Sequence, residues 1–313
     1  MEDNATGIRA GGDVRARYWD EFVGQERIKA QLEVRMTAAL NADRPLDHVL
    51  LTARPGFGKT TLANIMAFRL GRAFKPFVAP VSMGQIRTAL MEHQDEHLVL
   101  FIDEVHLMTK REQEDLLTLL EEGFMEAGDE RIVHDSVTVL AGTTARDKVI
   151  PALYDRFPIR PVFADYDDAD LGAIVLGMAE RLGVDAVDKD LAVELGKATG
   201  GTPRNARGLV SAARDVVESG IDLTVEAVLD LAGVTADGLN EEHLKYLSLL
   251  AASSTGKLGL NPLSARMALR TTVVEDMERL LLSKGYVELA QGGRLLTEDG
   301  RERVRAARER GEL

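Results

Sequence analysis

A chain of 313 residues is near the upper limit for one hydrophobic core, so two or three domains are expected. Hydrophobic residues make up 45% and charged residues 28%, a soluble mix with no run near the ~20 apolar residues that span a bilayer and no apolar secretory leader. The lack of cysteine excludes disulfides, thiolate metal sites and cysteine nucleophiles and fits a reducing cytosol, and with no apolar run of spanning length a cytoplasmic protein without a membrane partner is expected. The net charge of -13 argues against a sheath of basic residues for nucleic acid, yet residues 238–313 hold 12 basic and 11 acidic residues, so this part repels DNA least.

Residues 1–17 read as a weakly ordered arm. Apolar residues at Ile28, Leu32, Met36 and Leu40 then mark one face of a helix. The run HVLLTA, a Gly-rich turn and TLANIMAFRLG follow as strand, loop and helix. Two more buried strands are HLVLFID (97–103) and SVTVLAGTT (136–144). Buried strands alternating with helices predict a parallel sheet covered on both faces, over residues 1–163. Residues 164–236 contain only short helical patterns, at 169–182, 188–198, 203–219 and 224–231, with 233–240 as a linker. Residues 237–313 give three helical stretches (241–252, 262–269 and 273–284) and then GYVELAQGGRLLTEDG, which alternates around a turn and predicts a hairpin. Helices followed by a hairpin suggest a winged helix. The tail RERVRAARERGEL alternates in charge and reads as a solvated helix end.

The strongest motif is ARPGFGKTT, residues 53–61. Backbone N–H groups of a Gly-rich turn at a helix N-terminus can wrap a phosphate. Lys59 can reach the β and γ phosphates, and Thr60 can hold Mg²⁺. An ordinary strand-to-helix turn is the competing reading. The strict motif has Gly where this chain has the small Ala53. In LVLFIDEVH an apolar strand delivers Asp103 to its C-terminal edge, where open α/β sheets bind ligands. Asp103 would serve Mg²⁺, and Glu104 would polarise the attacking water. His106 has no second ligand at metal spacing and reads as structural or as a relay. Thr143 and Thr144, at the end of the third strand, could meet the γ-phosphate, Thr144 being the preferred polar sensor. Arg156 in LYDRFP and Arg204 in GGTPRNARG are candidates to stabilise charge on a transferring phosphoryl group.

FVGQERIK, the loop at 53–65, LFIDEVH, AGTTAR, DRFPI and GTPRNARGLV occur in an order that resembles AAA+ ATPases, and specifically the RuvB family of Holliday-junction branch-migration motors. The resemblance runs from about residue 14 to 297. It implies an α/β AAA+ P-loop NTPase with a parallel sheet, a small all-helical lid and a C-terminal winged helix. By this resemblance Val14, Arg15, Phe22 and Val23 flank the adenine of ATP. Gly56, Gly58, Lys59, Thr60 and Thr61 cradle the phosphates, and Thr60 and Asp103 serve Mg²⁺. Glu104 is the water acid and Thr144 the first sensor. Arg156 is the finger acting on a neighbouring subunit. Tyr166 and Arg204 are lid contacts, Arg204 being the second sensor, and Arg294, at the wing tip, contacts DNA phosphate. The implied activity is ATP-driven branch migration by a hexameric ring on duplex or four-way junction DNA, in recombination and repair, with a RuvA-like partner.

The chain departs from the family at several points. Ala53, Arg54 and Ala16 replace a loop glycine and two prolines. The interval after the acidic strand, which holds the partner-docking hairpin in the family, is shorter and more acidic. Leu289 stands where the wing has a second DNA-facing arginine, and one phosphate contact fewer lowers affinity and its salt dependence. An AAA+ loader or ATP-gated switch acting on a protein partner is the alternative that these departures favour.

Overall fold

The computed structural model describes residues 15–127, 130–134 and 136–313. Two compact units divide after Tyr166. The first begins with a single 3-10 turn, Trp19–Glu21, then α1 (Glu26–Asn41), β1 (Val49–Thr52), α2 (Lys59–Leu70), β2 (Ala73–Val78) and α3 (Met83–Glu92). It continues with β3 (Leu98–Asp103), α4 (Lys110–Glu122), the pair β4 (Phe124–Ala127) and β5 (Glu130–Val133), β6 (Val137–Thr143) and α5 (Pro151–Asp155). The sheet runs β1-β6-β3-β2, and every pairing in it is parallel. β3 and β6 are central and buried along almost their whole length, which is why both read as continuous apolar runs. β2 escapes that reading. It is the edge strand, half exposed, and carries Pro76, which an edge tolerates. The extended segment 159–162 runs parallel along the other side of β1.

The face of α1 differs from expectation at its end. Ile28, Leu32 and Met36 are buried, but the fourth core residue is Ala39, and Leu40 is exposed. Steps of four overshoot a 3.6-residue turn, so the stripe drifts by one position over three turns. β4 and β5 form an antiparallel hairpin in the acidic interval. Capping boxes start α3 at Ser82 with Gln85, and α4 at Thr109 with Glu112.

The second unit holds α6 (Asp168–Leu182), α7 (Lys189–Lys197), α8 (Pro203–Glu218) and α9 (Val225–Ala232) around one apolar cluster. A second cluster is built by α10 (Glu241–Ala251), β7 (Lys257–Leu258), α11 (Leu260–Met267), α12 (Thr271–Ser283), β8 (Val287–Ala290), β9 (Gly293–Leu296) and α13 (Glu298–Glu309). The strands form a small antiparallel sheet, β7-β9-β8. The basic tail is not merely solvated. α13 buries Arg303, Val304 and Ala307, and Arg303 binds Asp237 in the connection between the two clusters at 2.9 and 3.1 Å. Tyr286 and Thr235 donate to the same carboxylate at 2.8 and 2.6 Å, so the linker is a pinned turn.

Candidate nucleotide site

β1 ends at Thr52 and the chain turns through Ala53–Gly58 into α2. Gly58 is the N-cap, with φ of 93°, a conformation that favours glycine, and no side chain caps the helix. The first N–H groups of α2 are therefore presented with the positive end of the helix dipole, the arrangement that binds phosphate. Phe22 packs over this turn, so closely that a Cβ on Gly58 would sit 3.2 Å from its ring. Tyr166 closes the other side: its hydroxyl donates to the Phe57 carbonyl at 3.1 Å, and the rings meet edge-on. Gln25 ties the segment after Phe22 to Ala164 through two hydrogen bonds, of 2.8 and 2.9 Å.

The acids arrive from β3. Asp103 accepts the Thr60 hydroxyl at 2.9 Å and the Glu104 N–H at 3.0 Å. Glu104 has φ of 54°, a sparsely populated conformation for a residue with a side chain, and such strain gathers at functional sites. Its carboxylate is fully engaged. Oε1 faces the buried Lys59 Nζ at 3.3 Å. Oε2 accepts the Thr144 N–H at 3.1 Å and the Thr144 hydroxyl at 2.9 Å, and lies 3.3 Å from His106 Nδ1. His106 Nδ1 is also 3.1 Å from Thr143 Oγ1, which accepts the Ala145 N–H. Burial lowers the His106 pKa, against the opposing pull of Glu104.

The structure thus brings Lys59, Thr60, Asp103, Glu104 and Thr144 into one network, with Phe22 and Tyr166 on the turn. Gly56 lies in the turn, Thr61 in the first turn of α2, and Val23 is half-buried beside Phe22. Arg15 is exposed, and Val14 falls outside the described residues. Sequence reasoning missed Gly142. A Cβ there would lie 2.7 Å from Asp103 Oδ1 and 3.2 Å from Lys59 Cε. A glycine inside an otherwise apolar strand was the available signal. Gln25 and Glu121 were missed too, and nothing local in the sequence marks them.

Arg156 lies elsewhere. Segment 159–162 pairs in parallel with β1, so Arg156 sits at the N-terminal edge of the sheet, where its guanidinium engages Glu121 at the end of α4. About four residues of strand, ~13 Å, separate that edge from the phosphate turn. Arg204 is exposed on the first turn of α8 in the second unit.

Arg294 requires a correction. It is not at the wing tip but one pair back from the turn, opposite Leu289 and Leu258. Its guanidinium grips both carboxylate oxygens of the buried Glu278 on α12, and Tyr246 donates to the same carboxylate at 2.9 Å. A buried acid requires such partners, so the fork turns inward.

The family model for the P-loop domain of the Holliday junction DNA helicase RuvB matches residues 14–161, and that for the RuvB C-terminal winged helix domain matches 236–305. The RuvB subunit of the Holliday junction branch migration complex from Campylobacter fetus is 33% identical over 300 residues, covering 91% of this chain and 87% of the relative. The same subunit from Bdellovibrio bacteriovorus is 31% identical over 312 residues, 94% of each chain. The solved Holliday junction branch migration motor RuvB of Thermotoga maritima superposes with a TM-score of 0.79 at 30% identity, covering 93% of this chain and 98% of that one. This chain, with its phosphate turn, paired acids and winged helix, belongs to the RuvB family of P-loop ATPases.

Proposed function

We propose that the chain is an ATP-driven motor that migrates branches of Holliday junctions during recombination and repair, hydrolysing ATP at the subunit interfaces of a hexameric ring in the cytoplasm. One observation carries the shared-site part of this reading. The turn that would hold phosphate lies at one edge of the sheet and Arg156 at the other, which suits an arginine that serves a neighbour's site rather than its own. The Thr60 hydroxyl and the Asp103 carboxylate, bonded at 2.9 Å, suit Mg²⁺, which takes one or two protein oxygens alongside phosphate and water. When bound, Mg²⁺ neutralises charge on the β and γ phosphates.

The residues of the chain divide the work. Arg15, Phe22 and Val23 border the base, Val14 joins them by resemblance, and Tyr166 contacts the nucleotide from beside the phosphate turn. Gly56, Gly58 and Thr61 supply the backbone cradle. Lys59 leaves Glu104 for phosphate, and Glu104 then takes a proton from the attacking water. Thr144 holds Glu104, and Arg204 reads the nucleotide from the lid formed by residues 164–236. The winged helix, residues 237–313, meets duplex or junction DNA through backbone phosphates, which suits a motor that must not read sequence. The β4–β5 hairpin is the candidate dock for a RuvA-like partner.

A second reading, an ATP-gated switch acting on a protein partner, is favoured by the inward turn of Arg294, since its fork is already occupied by Glu278. Steady-state ATP hydrolysis at low salt decides between them, measured without DNA, with linear duplex and with a four-way junction, each with and without RuvA. Stimulation by DNA supports the motor. Hydrolysis indifferent to every DNA removes the motor reading and leaves the switch.

A further inference from the structure

We propose that His106 is a positioning residue for Glu104: backed by Thr143, it fixes the Oε2 oxygen, so that Oε1 becomes the oxygen that takes the proton from water. This rests on the reading of Glu104 as the general base.

The two carboxylate oxygens of Glu104 have different partners. Oε2 is held by the Thr144 N–H and hydroxyl at 3.1 and 2.9 Å and faces His106 Nδ1 at 3.3 Å. Oε1 faces Lys59 at 3.3 Å. Phosphate competes for Lys59, because a P-loop lysine binds the β and γ phosphates. It does not compete for His106. Once Lys59 is drawn away, Oε1 loses its partner, whereas Oε2 keeps the Thr144 N–H and His106 even when the Thr144 hydroxyl turns to the γ-phosphate.

A carboxylate only accepts hydrogen bonds, so Nδ1 must carry its proton for the 3.3 Å contact to be favourable. Nδ1 also lies 3.1 Å from Thr143 Oγ1, so one N–H is within reach of both oxygens. Thr143 is fixed in turn by the Ala145 N–H at 3.1 Å. Two consecutive residues at the end of β6 therefore hold one carboxylate, Thr144 directly and Thr143 through the imidazole. The imidazole is buried, its side chain only 8% exposed, which limits water as a replacement donor. Glu104 needs such support because its own backbone sits at φ of 54°, where no regular ladder orients it.

The test uses the full chain with Mg²⁺ and ATP. Turnover at saturation is compared with the affinity for a fluorescent ADP analogue, for His106→Ala, His106→Asn, His106→Gln, Thr143→Val and Glu104→Gln. His106→Ala should lower kcat by about 10- to 100-fold, the range expected when a reacting group is misplaced by a fraction of an ångström to an ångström. Nucleotide affinity should change less than threefold. An asparagine amide reaches the position of Nδ1 and a glutamine amide that of Nε2. His106→Asn should therefore recover most of the rate and His106→Gln should not. Thr143→Val should slow the wild type but add nothing to His106→Ala, the sign of a shared pathway.

If His106→Ala keeps the wild-type rate while Glu104→Gln is inactive, the clamp is wrong and the base stands. If Glu104→Gln hydrolyses normally, the base reading falls and takes the clamp with it. Equal loss of rate and nucleotide affinity, or equal failure of Asn and Gln, would mean that His106 only fills space. Should His106→Ala fail to fold, Thr143→Val and His106→Gln carry the same comparison.

Discussion

Lys59 and Glu104 form an ion pair at 3.3 Å in which the lysine is 5% exposed and the glutamate 24%. The lysine that phosphate must recruit and the acid that water must meet thus hold each other. Glu104→Gln is expected to weaken this hold and remove the base together. Nucleotide should bind at least as tightly, and hydrolysis should fall by about 100-fold or more. Lys59→Met should lose both binding and hydrolysis while the fold survives, since the Glu104 it leaves behind is 24% exposed and keeps the Thr144 N–H and hydroxyl as donors. Filter binding of labelled ATP beside a phosphate-release assay checks both. An inactive Glu104→Gln that binds nucleotide tenfold more weakly would count against the competition.

Gly142 leaves the space that Asp103 and Lys59 occupy. Gly142→Val puts a branched side chain where a Cβ alone would already be 2.7 Å from Asp103 Oδ1. The apparent Mg²⁺ requirement should rise several-fold and kcat/KM should fall, with the secondary structure intact. A variant with an unchanged Mg²⁺ titration would show that Asp103 can move without consequence.

Arg156 and the phosphate turn lie at opposite edges of one sheet. In mixtures of wild type and Arg156→Ala, hydrolysis should therefore fall faster than the wild-type fraction, because each variant subunit damages a neighbour's site. A linear decline on mixing points instead to sites that work alone. Nucleotide binding by the variant should stay near the wild-type value.

Arg294→Ala leaves the Glu278 carboxylate buried with only Tyr246 as partner. Removing one member of a buried pair costs about 3–5 kcal/mol, so the C-terminal half should melt at a clearly lower temperature. Arg294→Met combined with Glu278→Leu should recover much of the loss. Calorimetry read beside DNA binding separates the roles. Full stability with lost DNA binding would restore Arg294 to the DNA surface.

Burial alone would raise the Asp237 carboxyl, but hydrogen bonds from Arg303, Thr235 and Tyr286 outweigh it and hold its pKa at about 2. The folded value lies below the unfolded one of about 3.9, so this stability is present above pH ~4 and is lost as pH falls through about 2. After solvent screening it amounts to roughly 1–2 kcal/mol. Asp237→Asn should be less stable at neutral pH and show a flatter decline in acid. Denaturant midpoints between about pH 7 and pH 2 test this. An unchanged acid profile would remove Asp237 as a source of pH dependence.

Local chemistry determined much of this protein from sequence alone. The phosphate turn, the acid ending an apolar strand, the helical run of 169–231 and the hairpin around Gln291 and Gly292 each depend on neighbours a few positions apart, where period and turn residues are readable. Tertiary structure decided what depends on distant partners. β2 is an edge strand whose half-exposed pattern resembles a loop. Arg303 is buried because Asp237 waits 66 positions away. Arg294 turns inward because Glu278 needs a cation, and His106 meets Thr143 across 37 positions because β3 and β6 are adjacent. A charge in isolation prefers water, and only the fold supplies the counter-charge that lets it leave.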